Sequence, residues 1–300
     1  MKHLLSIESL SREEILEILT LAKVMKSTRG RHESHPLRHQ CWALIFSKSS
    51  TRTRVSFEVG IRELGGDVMF LSAQEIQLGR GEPIKDTARV MGRMLHGAVI
   101  RTFAQSDVEE FAQYSGIPTI NALTDDEHPC QILADLQTIE EKLGCIENRT
   151  VAFIGDGACN VPISWLWAAR HLGFNLRIAA PQAFQPSADL LSKIGCDRIT
   201  VTDDPGLAVA GADVLYTDVW VSMGKEEEAA YRLAQLGRYQ IDADLVSKAK
   251  PGALVMHCLP AYRGKEITEE VFEAHAQTIF DQAENRLHAQ KAILSLLAKP

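Results

Sequence analysis

The chain has 300 residues, 45% of them apolar and 24% charged, with 20 glycines and 11 prolines, so it has the length for one large or two medium domains and an ordinary globular composition. Disorder, collagen and coiled coil are excluded as whole-chain readings. A net charge of −7 provides no general attraction to nucleic acid or an anionic membrane, so any anionic ligand has to be held by a local basic cluster.

The opening Met-Lys-His-Leu-Leu-Ser-Ile-Glu carries one lysine and an apolar stretch too short for a signal peptide, and no apolar run approaches the roughly 18 residues of a membrane span. A cytoplasmic protein is expected. Cys41, Cys130, Cys145, Cys159, Cys196 and Cys258 show no C-x-x-C spacing, so they read as reduced thiols, most of them buried, and not as a disulfide framework or zinc site. His32, His35 and His39 lack a companion cysteine or acid at ligand spacing and read as a solvated loop; no metal is expected.

Ser11 and Glu14 form a capping box ahead of Ile15, Leu16, Ile18, Leu19 and Ala22, which predicts an amphipathic helix. Residues 30–40 read as loop. Short apolar runs then alternate with helical patterns: Cys41 to Phe46, Val68 to Leu71, Ala98 to Thr102 and Thr119 to Ala122 are predicted strands. A long helix is expected from Pro129 to Leu143. The rhythm restarts with strands at Thr150 to Gly155, Leu176 to Ala180, Ile199 to Thr202, Val214 to Thr217 and Ala253 to Met256, and closes with a helix over Ala283 to Ala298. The fold class is therefore α/β: two similar domains, each a parallel sheet flanked by helices and linked by long helices, divided near Leu143 to Arg149. The spans expected are 1–145 and 146–300, with the last helix, about 284–298, returning to the first domain.

In such sheets ligands collect beyond the carboxyl ends of the strands. Ser47 to Arg54 follows the first strand and opens a helix, where unpaired N–H groups, the helix dipole, hydroxyls and a guanidinium suit an anion, although a capped helix with solvated arginines has the same spacing. Arg101 ends another strand. His128 and Gln131 share one face at the start of the long helix, where Pro129 suits a first turn. Gly155 to Ser164 superficially suggests a dinucleotide turn, but Asn160 stands at the third glycine position and no acid ends the next strand. No P-loop is present either. Asp218 could hold a substrate amine or cap a loop, and Cys258 follows a strand end where a buried small hydrophobe is the plainer reading.

Ser50-Thr51-Arg52-Thr53, His128-Pro129-Cys130-Gln131 and His257-Cys258-Leu259-Pro260 resemble the transcarbamylase family, and within it the ornithine-specific branch, over essentially the whole chain. The resemblance implies that carbamoyl phosphate is bound by Ser50, Thr51, Arg52, Thr53, Gln77, Arg101, His128, Gln131, Cys258, Leu259 and Arg286. It implies that L-ornithine is bound by Asn160, Asp218, Ser222 and Met223, and that Arg101, His128, Asp218 and Cys258 act in catalysis. Gln77 matches a loop that completes a neighbouring subunit's site, so a homotrimer or an assembly of trimers is implied. No cofactor is implied, because the mixed anhydride is already activated. Departures occur at Ala158-Cys159 and Pro162, which touch the acceptor pocket, while Cys258-Leu259-Pro260-Ala261 argues against an aspartate acceptor. Putrescine and N-acetylornithine transcarbamylases remain open as alternatives, as does a non-catalytic phosphate-binding regulatory paralogue.

Overall fold

A computed structural model describes the chain except Gln74, Gln77, Leu78, Gly79, Arg80, Met223, Lys299 and Pro300. In chain order the first elements are α1 (Arg12–Ser27), β1 (Cys41–Phe46), α2 (Thr51–Glu63), β2 (Asp67–Ser72), α3 (Ile84–Met91), β3 (Gly97–Arg101), α4 (Gln105–Ser115), β4 (Thr119–Leu123) and α5 (Pro129–Leu143). They are followed by β5 (Thr150–Ile154), α6 (Asn160–Leu172), β6 (Asn175–Ala179), α7 (Ala188–Ile194), β7 (Ile199–Thr202), α8 (Pro205–Val209), β8 (Val214–Thr217), α9 (Ala229–Leu236), α10 (Ala243–Ser247), β9 (Leu254–His257), α11 (Glu269–Ala274) and α12 (Ala276–Leu297). Every predicted strand is present with its ends moved by at most one residue.

The capping box forms as its spacing demands: the Glu14 amide donates to Ser11 Oγ at 3.1 Å and the Ser11 amide to Glu14 Oε2 at 2.9 Å. Ile15, Ile18, Leu19 and Ala22 form the buried face of α1. The C-terminal helix starts at Ala276, earlier than its strongest apolar positions suggest, because the buried Ile279 extends the packed face by a further two turns. The cysteines are all free, but only Cys130 and Cys159 are buried; Cys145 is exposed and the others are partly covered, fewer buried thiols than expected.

The chain divides into two compact units, Met1–Gln137 with Glu284–Pro300, and Thr138–Ala283. The division into compact units falls inside α5, which contributes its first turns to one unit and its last to the other. Unit 1 holds a four-stranded parallel sheet in the order β2-β1-β3-β4, and unit 2 a five-stranded parallel sheet in the order β7-β6-β5-β8-β9. The central strands are buried along almost their whole length, as parallel sheets covered on both faces require.

The N-terminal segment runs beside the outer edge of β4. The Leu4 amide donates to the Thr119 carbonyl at 2.9 Å, and the Asn121 amide to the Leu4 carbonyl at 2.7 Å. Asn121 Nδ2 also donates to the Leu5 carbonyl at 2.8 Å.

Each strand order reverses once: in unit 1 between β1 and β3, in unit 2 between β5 and β8. At such a switch point the connections diverge to either side and leave a crevice at the carboxyl ends. The register aligns those ends. Phe46 pairs with Arg101, and Ile154, Thr217 and His257 lie in one row across β5, β8 and β9, so Gly155, Asp218 and Cys258 leave the sheet side by side. Among the described residues no helix is long and apolar enough to cross a membrane.

Candidate active site

At the switch point of unit 1, Ser50 is the N-cap of α2 and its Oγ accepts the Thr53 amide at 3.3 Å. Thr51, Arg52 and Thr53 occupy the first turn, where the helix dipole favours an anion. Arg286, on α12 and only 3% exposed, reaches into the same place: Nη1 donates to Gln131 Oε1 at 2.5 Å and Nη2 to Thr53 Oγ1 at 3.1 Å. Gln131 Nε2 donates in turn to Asp135 Oδ1 at 2.8 Å, so its amide orientation is set from behind. His128 is buried in this cluster. Burial first, and then the Arg286 and Arg101 guanidinium groups, push its pKa well below the usual imidazole range. It is neutral at pH 7 and carries one N–H donor. Lys48, inside the same segment as Ser50, is engaged elsewhere. Its ammonium is ion-paired with Asp125 and lies 4.2 Å from the Phe103 ring centre.

At the switch point of unit 2, Asp218 is buried directly after β8. Its Oδ1 accepts the Cys258 thiol at 2.8 Å and the Val219 amide at 2.7 Å. Burial raises its pKa despite these donors, leaving a carboxylate with more than ordinary affinity for a proton. His257 stands behind Cys258. Its Nδ1 accepts the Leu259 amide at 2.9 Å, which leaves Nε2 as the N–H that donates to Glu266 Oε1 at 3.1 Å. The Tyr262 amide donates to the same oxygen at 2.5 Å. Leu259 holds φ of 59°, a left-handed conformation that a γ-branched residue adopts only when its surroundings impose it. A donor atom from each of Asp218, His257 and Cys258 lies within 4.8 Å of the others, a spacing a metal ion could use, but both His257 nitrogens are already engaged in hydrogen bonds.

Comparison with known proteins settles what kind of chain carries these two clusters. Residues 2–141 match the family model described as aspartate/ornithine carbamoyltransferase, carbamoyl-P binding domain, and residues 147–297 match the Asp/Orn binding domain of the same family. The chain belongs to the aspartate/ornithine carbamoyltransferase family. An ornithine carbamoyltransferase of Akkermansia muciniphila is 59% identical over 99% of this chain and 98% of its own length. The anabolic ornithine carbamoyltransferase of Pseudomonas aeruginosa is 50% identical, with 99% and 97% covered. Among solved structures, the anabolic ornithine carbamoyltransferase of Campylobacter jejuni superposes with a TM-score of 0.92 at 42% identity, covering 99% of each chain.

The family's two domains distribute the expected residues along the chain, and the compact units redistribute one of them. Arg286 falls in the span of the second family domain but packs in unit 1, beside Thr53 and Gln131. Ser50 to Thr53, Arg101, His128, Gln131 and Arg286 thus all lie in unit 1, where Arg286, Thr53 and Gln131 are joined directly and both Arg101 and Arg286 act on His128. Asn160 begins α6, and Asp218, Ser222, Cys258 and Leu259 lie on the loops after β8 and β9 of unit 2. Gln77 and Met223 lie outside the described residues. Glu266 was not singled out by the sequence, where it sits in a polar stretch, yet it is fully buried and orients His257. His32 is not a solvated loop residue as expected: its Nε2 lies 2.6 Å from Lys291 Nζ and its Nδ1 3.1 Å from Thr28 Oγ1, while His35 and His39 are exposed.

Proposed function

We propose that this protein transfers the carbamoyl group of carbamoyl phosphate to the δ-amine of L-ornithine, giving L-citrulline and phosphate. The observation that carries the reading is Arg286 holding Thr53 and Gln131 at once from 233 and 155 positions away, around a buried neutral histidine. That arrangement gathers cationic and neutral donors at a helix N-terminus, the requirement for a phosphate joined to a carbonyl.

In this reading Ser50, Thr51, Arg52 and Thr53 hold the phosphate together with Arg286. Arg101, His128 and Gln131 polarise the carbamoyl carbonyl. Cys258 and Leu259 contribute from the loop after β9, and Gln77 from a neighbouring copy. Attack by the amine forms the N–C bond, builds negative charge on the carbonyl oxygen, and then breaks the C–O bond to phosphate. Donors already in place stabilise both charges without reorganising.

The acceptor is held by Asn160, Asp218, Ser222 and Met223. The δ-ammonium has a reference pKa of about 10.4 and must lose a proton before it attacks. Asp218, raised by burial and already receiving Cys258 on Oδ1, offers Oδ2 to that ammonium and orients it with the thiol. The departing phosphate is an alternative proton acceptor. Support for ornithine over other amines comes from the relatives' names and from the residues at 218 to 224. A trimer rests on the resemblance around Gln77, and a cytoplasmic location on the free thiols, which suit a reducing compartment.

The test is ureido-product formation from carbamoyl phosphate with L-ornithine, putrescine, N-acetylornithine and aspartate offered separately. Strong preference for ornithine is the expected result. Preference for another amine transfers the assignment to that acceptor, and turnover with none of them makes the chain a phosphate-binding paralogue. Arg52→Ala should abolish carbamoyl phosphate binding in calorimetry; unchanged affinity overturns the phosphate site.

A further inference from the structure

Arg232, on α9, lies outside every segment that the resemblance assigns to substrate, yet its side chain is only 5% exposed. A guanidinium stripped of water needs matched acceptors, and this one has them. Nη1 donates to Asp156 Oδ2 at 2.7 Å and to the Trp220 carbonyl at 3.2 Å, and Nε donates to Glu228 Oε2 at 2.8 Å. The Phe184 ring centre lies 5.1 Å from its guanidinium carbon.

The two groups that share Nη1 belong to different loops. Asp156 organises the turn between β5 and α6: its Oδ1 accepts the Ala158 amide at 3.0 Å and its carbonyl accepts the Cys159 thiol at 3.2 Å. The next residue, Asn160, begins α6. Trp220, 4% exposed, stands two positions after Asp218 and two before Ser222, on the loop after β8. One nitrogen therefore spans the switch point of unit 2 and ties the turn that presents Asn160 to the loop that presents Asp218 and Ser222.

We propose that Arg232 is a positioning residue for the amino-acid acceptor, setting the spacing between Asn160 and the Asp218–Ser222 loop through its shared bond to Asp156 and the Trp220 carbonyl. The proposal rests on the reading that these two loops bind ornithine. Lysine could keep the charge but not the fork that reaches Asp156, Glu228 and a carbonyl together. Methionine would fill the space and leave the Asp156 carboxylate buried without its cation.

The test measures ornithine KM, kcat, carbamoyl phosphate affinity by calorimetry and thermal midpoint for Arg232→Met, Arg232→Lys and Asp156→Asn. A change in acceptor positioning should raise ornithine KM by about tenfold or more in Arg232→Met, with carbamoyl phosphate affinity within about twofold of the parent. Arg232→Lys should recover part of the loss, and it carries the same test where Arg232→Met does not fold. Asp156→Asn should also raise ornithine KM, since it weakens the same link from its other end. An ornithine KM unchanged well below the thermal midpoint, or equal losses for both substrates, overturns the proposal. Asn160→Ala and Asp218→Asn separate the two readings. If they raise ornithine KM and Arg232→Met does not, only the positioning role falls; if neither alters ornithine binding, the acceptor site itself is misassigned and the positioning role falls with it.

Discussion

The Cys258 thiol donates to Oδ1 of Asp218 at 2.8 Å across 40 positions of sequence, joining the ends of two adjacent strands. This bond favours the ionised carboxylate, while burial opposes it more strongly and sets the net upward shift of Asp218. Removing the thiol in Cys258→Ala should therefore raise the Asp218 pKa further. In the proposed mechanism Asp218 acts ionised, so kcat at saturating ornithine should fall as pH drops through that pKa, and the acid limb should move to higher pH in the variant. An unmoved limb in the pH–rate profile would show that Asp218 does not govern it.

His128 should remain neutral throughout the physiological range, because burial and two guanidinium groups all disfavour the imidazolium. Replacing Arg286 with Gln removes one of those cations and should raise the His128 pKa toward its ordinary value. Imidazole nitrogen shifts followed by NMR across the titration check both statements. A parent His128 that titrates near the reference value of about 6.5 contradicts them.

Glu266 is fully buried and receives His257 Nε2–H and the Tyr262 amide on one oxygen. Glu266→Ala leaves both donors without that acceptor, and each orphaned buried group costs about 1–3 kcal/mol. Glu266→Gln keeps an acceptor oxygen and should lose much less. Denaturant unfolding of the two variants, compared at equal m-value, should rank them in that order.

Asp213 pins the start of β5 by accepting the Thr150 amide at 2.9 Å, Arg149 Nη1 at 3.1 Å and Lys250 Nζ at 2.8 Å. Burial pushes its carboxyl up, but these three donors outweigh it and hold the pKa below the usual value. The folded pKa is thus the lower one, so the stability that Asp213 contributes is complete above the unfolded carboxylate value, about 3.9, and is lost as pH falls through the folded one. Asp213→Asn should lower the thermal midpoint at pH 7 and converge on the parent in acid. A difference that stays constant with pH would assign the loss to shape and not to charge.

The strands were readable because each is a short apolar run between turn residues, and parallel strands buried on both faces leave that signature in the chain itself. Helix ends marked by chemistry, such as Ser11 with Glu14, were equally plain. The Thr53, Gln131 and Arg286 grouping left no spacing to detect, since its members are far apart and only the resemblance linked them. Glu266 and Arg232 escaped for a different reason: Glu266 lies in a run of polar residues that looks like a hydrated surface, and Arg232 is a single arginine on a short amphipathic helix that reads as its solvated face, while tertiary packing alone removes the water from each. The same holds for the place where α5 changes unit, because a continuous helical pattern contains no mark at Gln137.

The backbone of Leu4 occupies hydrogen-bonding groups that β4 would otherwise present at the rim of its sheet. An open parallel rim is a template on which another chain can build. Deleting the residues around Leu4 would therefore do more than shorten the protein: it would expose an adhesive border, with self-association through strand addition as the outcome to watch for when the amino end is trimmed or redesigned.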